Sequence, residues 1–290
     1  MNKMPPERLA IPKKGRVFEP VQNLLRESGF KLRAQERLDF CLCAALGIEV
    51  YYLPAHDIPL AVASGAIGYG ITGMDLIEES GARLEQHMEL GLGRTRMVLA
   101  TPEEHPWRGP KSLEGKRIGT SFPHITRKRL RKLGVRDFET VSFAGSVEIQ
   151  VRLGIVDAIV EISETGTTLR ANRLATRATL LESELVLCSA PGRRGPALKL
   201  LVKRFGRVLR GRSHVLLKFN LPRKLLGKAC SLSHGMSSPT VNELADPNWL
   251  ALEVAVHREE LHSLMDRLAD LGAKGILSCD LTLCAPDGEG

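Results

Sequence analysis

Residues 157–170 read Asp157, Ala158, Ile159, Val160, Glu161, Ile162, Ser163, Glu164, Thr165, Gly166, Thr167, Thr168, Leu169, Arg170. An apolar run leads into a small polar loop, and the loop leads into a helical pattern. Glycine lets backbone approach a phosphate, amides at a helix start point outward, and threonine hydroxyls add donors. Asp157 and Glu161 stand just upstream. Carboxylates repel a phosphate unless they serve another group, such as ribose hydroxyls or a bridging Mg²⁺. The combination predicts a site for a phosphorylated sugar. The competing reading of Thr165, Gly166, Thr167 and Thr168 is a threonine-rich helix cap with no ligand.

The elements around this loop repeat one order, strand then glycine loop then helix. Residues 9–12 form an apolar run that ends in Lys13-Lys14-Gly15-Arg16, and helical spacing follows over 20–28 (Val21, Leu24, Leu25). Strands are expected at 48–53, 69–73, 97–101, 117–119, 141–143 and 185–189. Helices are expected at 58–64, 75–79, 126–133 and 147–153. Leu169, Leu174 and the alanines between extend the loop into a helix-like segment. This order argues for parallel α/β sheets. A proline- and glycine-rich connection (Pro102, Pro106, Gly109, Pro110) separates two groups of units.

The tail changes character after Gly211. Strand, helix, extended piece, strand, amphipathic helix and strand follow at 214–220, 224–231, 237–244, 250–257, 259–271 and 276–281. That βαββαβ order is ferredoxin-like. Leu261, Leu264, Leu268 and Leu271 form one stripe of the last helix.

Composition bounds the function. With 290 residues the chain can hold two or three domains. No apolar run reaches the ~20 residues of a membrane span, and residues 1–8 lack a signal-type apolar stretch. Cys41, Cys43, Cys188, Cys230, Cys279 and Cys284 form no Cys-x-x-Cys pair, so reduced thiols in a cytoplasmic protein are expected. The net charge of +8 fits either nucleic acid or polyanionic small molecules. The basic patches at 127–132 and 203–212 carry no interleaved aromatics for base stacking, which argues against nucleic acid. Each also reads as a solvated helix face.

These residues resemble the ATP phosphoribosyltransferase family in its long form. The pieces that carry the resemblance are Ile11-Pro12-Lys13-Lys14-Gly15-Arg16, Asp57-Ile58-Pro59, Gly70-Ile71-Thr72-Gly73-Met74-Asp75, Gly145-Ser146-Val147-Glu148 and residues 157–174. The resemblance implies an α/β fold with a two-lobed, periplasmic-binding-protein-like catalytic region and a C-terminal ferredoxin-like regulatory domain. Residues 1–101 and 183–211 would form the first lobe, 102–182 the second, and 212–290 the regulatory domain. It implies attack of N1 of the ATP adenine on C1 of phosphoribosyl pyrophosphate, with release of Mg²⁺-bound pyrophosphate, as the first step of histidine biosynthesis. Asp157 and Glu161 would hold the ribose hydroxyls as the catalytic pair. Thr165, Gly166, Thr167 and Thr168 would hold the 5-phosphate. Lys13 and Arg16 would face the pyrophosphate or the ATP phosphates, and Thr72 and Gly73 would line the cleft. The stretch Leu271-Gly272-Ala273-Lys274-Gly275-Ile276-Leu277 resembles the end of the regulatory domain, with Ala273 as its regulatory position. Histidine would inhibit, and the chain would assemble as a homo-oligomer, dimer to hexamer.

The chain departs from the family pattern at several points. Glu161 stands where Asp is usual. Pro54 and His56 take the places of two arginines, Gly68 that of an Asp, and Met74 that of a Lys. Gly227 sits near a position where an Asp often contacts the inhibitor. The alternative reading is a paralogue that keeps the phosphoribosyl site and uses another acceptor, or a non-catalytic regulatory binder.

Overall fold

The structure, a computed structural model, describes residues 7–32, 39–45, 47–163, 166–233, 235–236 and 238–285. The chain opens with β1 (Glu7–Pro12), α1 (Phe18–Glu27), β2 (Phe40–Cys43), β3 (Ile48–Leu53), α2 (Ile58–Ala63), β4 (Tyr69–Gly73), α3 (Met74–Ser80) and β5 (Glu85–Glu89). It continues through β6 (Thr95–Pro102), β7 (Lys116–Thr120), α4 (Pro123–Lys132), β8 (Phe138–Ser142), α5 (Val147–Arg152), β9 (Ala158–Ser163), α6 (Thr167–Ala171) and β10 (Leu174–Ser183). Strand β11 (Leu185–Ser189) and helix α7 (Pro196–Ser213) follow.

Two sheets organise this region. The first has the order β2-β3-β1-β4-β11-β5 and the second β10-β6-β9-β7-β8. We call the bodies built on them lobe I and lobe II. Strand β6 lies wholly in the second sheet, so the chain leaves lobe I between β5 and β6. It returns between β10 and β11, and β11 inserts antiparallel between β4 and β5. Inner strands are buried on both faces and therefore read as unbroken apolar runs. Leu9, Ala10 and Ile11 in β1 and Ala158, Ile159 and Val160 in β9 are all fully buried.

The structure corrects the sequence reading in three places. Leu174 does not extend a helix; it opens the ten-residue strand β10. Two register shifts against β6, between Thr176 and Ala178 and between Thr179 and Leu181, break the period of two that would mark a strand. The polar edge strand β5 and the four-residue β2 are too short and too weakly patterned to show in sequence. Helix α4 begins at Pro123, three residues before its expected start, with proline in the first turn where a missing amide costs nothing. Helix α7 runs through the second basic patch for 18 residues.

The chain divides into two compact units. One holds the described residues up to Arg26 together with Phe30–Leu200, and the other holds Glu27–Gly29 and the described residues from Leu201 onward. The second unit contains β12 (His214–Pro222), α8 (Leu226–Leu232), β13 (Thr240–Glu243), β14 (Trp249–His257), α9 (Leu261–Leu271) and β15 (Lys274–Asp280). Its sheet, β13-β14-β12-β15, is antiparallel throughout. Alternate residues of β12 and β14 are buried, among them Leu217, Phe219, Leu252 and Val254. They form one core with Ala229 of α8 and Leu261, Leu264 and Leu268 of α9. This is the expected βαββαβ domain.

Candidate active site

Strand β9 carries the predicted site. It runs parallel to β7, and ligands of open α/β sheets bind beyond the carboxyl ends of such strands. At that end a cavity of about 340 Å³ is lined by Glu148, Glu161, Ile162, Ser163, Gly166, Thr167, Thr168 and Leu169. Gly166 caps α6 at φ 72°, a left-handed conformation that suits glycine. Its amide is held by the Ser163 hydroxyl at 3.1 Å. The bonding of α6 starts with the Arg170 amide on the Gly166 carbonyl at 3.0 Å. The amides of Thr167, Thr168 and Leu169 are thus outside the helix's own pattern, as helix starts require. Arg170 places its guanidinium 3.5 Å from the Thr167 hydroxyl and so brings a cation to the loop. Thr165 lies outside the described residues.

The two acids stand apart along β9 (Ala158–Ser163). Glu161 opens on the cavity, but Asp157 precedes the first residue of the strand. Four residues separate them, about 13 Å at roughly 3.3 Å per residue. Parity puts both side chains on one face of the strand without making them neighbours. The Asp157 carboxylate accepts from the Arg117 amide at 2.8 Å and from its Nε at 3.3 Å. Burial pushes the Asp157 carboxyl up, but the amide and guanidinium of Arg117 outweigh it and hold the group below its ordinary value. Asp157 therefore ties the start of β9 to the start of β7, and the expected pairing with Glu161 on one sugar is not the observed geometry.

Glu161 has the opposite electrostatics. Burial raises it above the ordinary glutamate value, and Glu148 across the cavity adds to the rise. The Ile162 amide donates to Oε1 at 2.9 Å. The Ser121 hydroxyl and amide approach closely enough to favour the ionised form. Among the described residues, however, Oε2 closes no hydrogen bond of full geometry and is buried from solvent. A buried carboxylate oxygen without a partner is costly, and a ligand hydroxyl would relieve it. Glu148, in the first turn of α5, is the second acid of this cavity.

A larger cavity, about 520 Å³, is lined by Met74, Arg94, Thr95, Arg96, Ser163, Glu182, Ser183 and Glu184. It is built from the start of α3, the adjoining ends of β6 and β10, and Ser163, which also lines the smaller cavity. It is the larger of the two, but the phosphate-loop chemistry belongs to the smaller one.

The remaining expected residues are more dispersed. Lys13 Nζ lies 2.6 Å from Asp39 Oδ1, with both side chains largely exposed. Arg16 reaches the Gly93 carbonyl at 3.5 Å. Neither lines either cavity. Thr72 is fully buried, and its hydroxyl donates to the Ala55 carbonyl at 3.1 Å, so it holds a loop instead of facing a ligand. Gly73 directly precedes Met74 and the larger cavity. A Cβ there would stand 2.1 Å from Asp75 Oδ1, which accepts from the Ser183 hydroxyl at 2.8 Å. Ala273 is buried in the core of the C-terminal domain, and a Cβ on Gly227 of α8 would meet nothing within 4 Å.

Of the departures from the family pattern, His56 is exposed beside Asp57 at 3.3 Å. The Arg193 guanidinium fills the space that a side chain at Gly68 would enter. Met74 lines the larger cavity and Glu161 the smaller one. Sequence reasoning assigned no role to Glu148 or Ser121. The motif Gly145-Ser146-Val147-Glu148 was visible, but nothing local to Ser121 distinguishes it from any residue after a strand. Among the described residues no group of three or more His, Cys, Asp or Glu is arranged to hold a metal ion.

Comparison with known proteins completes the picture. The profile of the family described as ATP phosphoribosyltransferase matches residues 54–206, and that described as HisG, C-terminal domain, matches 211–282. The ATP phosphoribosyltransferase of Rhodopirellula baltica is 41% identical over 278 residues, covering 96% of this chain and 93% of that protein. Those of Nocardia farcinica and Mycobacterium tuberculosis are 38% and 36% identical, over 96% of this chain and 98% and 99% of theirs. A solved ATP phosphoribosyl transferase (HisG:HisZ) complex from Thermotoga maritima superposes with a TM-score of 0.59 at 28% identity, covering 69% of this chain and 98% of that one. The chain belongs to the ATP phosphoribosyltransferase family.

Proposed function

We propose that this chain joins N1 of the adenine of ATP to C1 of phosphoribosyl pyrophosphate, the first step of histidine biosynthesis. The N1 lone pair forms the new bond as the C1–O bond breaks, and pyrophosphate leaves with the bonding pair. Positive charge develops on the ribose ring, so fixed negative charge beside that ring favours the transition state. The observation that carries this reading is the pairing of a glycine-threonine loop with a buried, incompletely bonded carboxylate in one cavity.

The 5-phosphate takes Gly166, Thr167 and Thr168, with Thr165 on the same loop. Glu161 and Glu148 hold the ribose hydroxyls, and Asp157 buttresses the strand from its far end. The acceptor takes the larger cavity, so that the two substrates meet at Ser163. Lys13 and Arg16 serve the phosphates of lobe I's ligand as loop residues, Arg16 from its place beside Gly93.

Mg²⁺ fits this donor set as a metal carried by substrate. Glu148 and Glu161 are hard oxygen donors, and Mg²⁺ is normally held by one or two carboxylates plus phosphates and water. When bound it neutralises the leaving pyrophosphate. The C-terminal unit is the regulatory domain for histidine, in a homo-oligomer. The protein works in the cytoplasm, in keeping with six free cysteines and with the absence, among the described residues, of a helix long and apolar enough to cross a membrane.

The test is pyrophosphate release from phosphoribosyl pyrophosphate with ATP and Mg²⁺, run beside a panel of other purine nucleotides and with a chelator. Turnover with ATP that stops on chelation is expected. Tight binding of the sugar by calorimetry with no turnover of ATP would refute the assignment of the acceptor.

A further inference from the structure

Helix α4 of lobe II has no cap of its own. Phe122 stands at its cap position, and no side chain there bonds the helix. The cap comes from lobe I. Glu79, near the end of α3, accepts from the His124 amide at Oε1 and from the Ile125 amide at Oε2, each at 2.9 Å. Its neighbour Glu78 accepts from Arg129 at 2.7 Å and has Lys128 Nζ 2.9 Å away as an ion pair. Two acids at the carboxyl end of α3 oppose that helix's own dipole. Their placement is favourable only with the amides and cations of α4 against them.

The turn that α4 springs from is tied at several points. Thr120 is fully buried, and its hydroxyl oxygen accepts from the Phe122 amide at 2.9 Å and lies 3.0 Å from the Thr126 hydroxyl. The Thr126 amide bonds the Phe122 carbonyl at 2.9 Å. In the sheet, Thr120 of β7 is in register with Val160 of β9. The next residues of each strand, Ser121 and Glu161, are therefore neighbours at the edge of the phosphate-loop cavity.

We infer that Glu79 is a positioning residue for the sugar-phosphate site: by capping α4 it fixes the 120–122 turn and sets Ser121 against Glu161. Lobe II's site is then complete only while α3 of lobe I is docked on α4. This rests on the role of Glu161 proposed above.

The experiment is a double-mutant cycle on binding of phosphoribosyl pyrophosphate by calorimetry with Mg²⁺, with KM and kcat for both substrates and the Tm of unliganded protein. Glu79→Ala is expected to weaken sugar binding roughly tenfold, the scale of one charge-assisted hydrogen bond, while the KM for ATP moves less than about twofold. Ser121→Ala weakens it several-fold. The double variant is expected to be no weaker than the worse single one, because both changes break one chain of contacts. Effects that multiply, or a Tm loss with binding intact, overturn the inference. Glu79→Gln, which keeps one acceptor oxygen, takes the place of Glu79→Ala if the latter does not fold. Glu161→Gln is measured in parallel. Unchanged sugar binding there would refute the site itself, whereas weakened binding there with independent Glu79 and Ser121 effects would refute only the positioning.

Discussion

Asp157→Asn and Glu161→Gln should have opposite consequences, although the two acids belong to one motif. Asp157 is about 13 Å along the strand from Glu161. A unit charge acts over that distance with about 0.3 kcal/mol in water and about 1.3 kcal/mol at an effective dielectric near 20. Screening over more than one Debye length reduces either figure to about 0.3 kcal/mol or less. Asp157→Asn should therefore change the Kd of phosphoribosyl pyrophosphate less than about twofold. It should instead cost stability, about 1 kcal/mol for a partly exposed carboxylate that loses its charged bond to Arg117. That corresponds to a fall in Tm of roughly 2–4 °C. The sign of its pH dependence follows from the depressed carboxyl. The native state favours the ionised form, so the contribution is present above the unfolded value near 3.8 and is lost as pH falls through the lower native value. Glu161→Gln removes the anion from the cavity and should raise the Kd about tenfold or more, since a hydrogen bond to a charged group exceeds a neutral one by about 1–2 kcal/mol. Calorimetric titration with the sugar and denaturant unfolding measure both quantities. A tenfold loss of sugar binding in Asp157→Asn with unchanged stability would refute this division of roles.

Two further outcomes follow from the same geometry. Gly73→Ala puts a methyl 2.1 Å from Asp75 Oδ1 and must drive that carboxylate off Ser183, costing about 2 kcal/mol. Asp75→Ala in the same chain removes the clash, so the double variant should unfold no more easily than Asp75→Ala alone; fully additive losses in a denaturant cycle would exclude a steric cause. His87 is held below its ordinary value mainly by burial, and Arg194 adds to this while Glu85 opposes it. Its native state binds fewer protons than the unfolded chain, so stability should fall as pH drops below 6.5 toward the native value, and His87→Gln should flatten that slope in denaturant titrations at pH 7.5 and 5.5.

Much of the fold was legible because its inner strands leave simple marks. The apolar run of β9 and the alternation of β12 and β14 reflect burial on two faces and on one face. Strand β10 was not legible, since two bulges destroy its period. The site was legible only where it is local. Gly166 and its threonines are contiguous, and the turn they make is a property of that segment. The partners of Glu161 are not. Ser121 arrives through the register of β7, and Glu148 through the start of α5. Asp157 shows the converse error. Reading along the chain counts four residues as near, whereas an extended strand sets them about 13 Å apart. Thr72 shows another, because a Gly-Ile-Thr-Gly pattern gives no sign that the hydroxyl turns inward to Ala55.

The departures from the family pattern bear on the acceptor, and their positions divide them. Pro54, His56 and Gly68 line neither cavity. The space beside Gly68 is filled by Arg193, which stacks over Tyr69 at 5.4 Å and stands 4.0 Å from Glu7. The larger cavity keeps two arginines of its own. Arg94 is 79% exposed and only loosely paired with Glu184 at 3.7 Å, which leaves it able to turn toward an incoming phosphate. Met74 is different, since it lines that cavity and also packs on the core around Ile77, Val186 and Cys188. A lysine there would bring charge to the acceptor; the thioether brings an apolar, polarisable wall of the kind that contacts aromatic rings well. With the acceptor in the larger cavity as proposed, that half of the site trades a cation for a surface suited to a purine base, and Arg94 and Arg96 are the cations that would meet its phosphates. Under that proposed placement the Met74 wall favours a purine acceptor without help from the altered first-lobe loop, whose Pro54 and His56 line neither cavity.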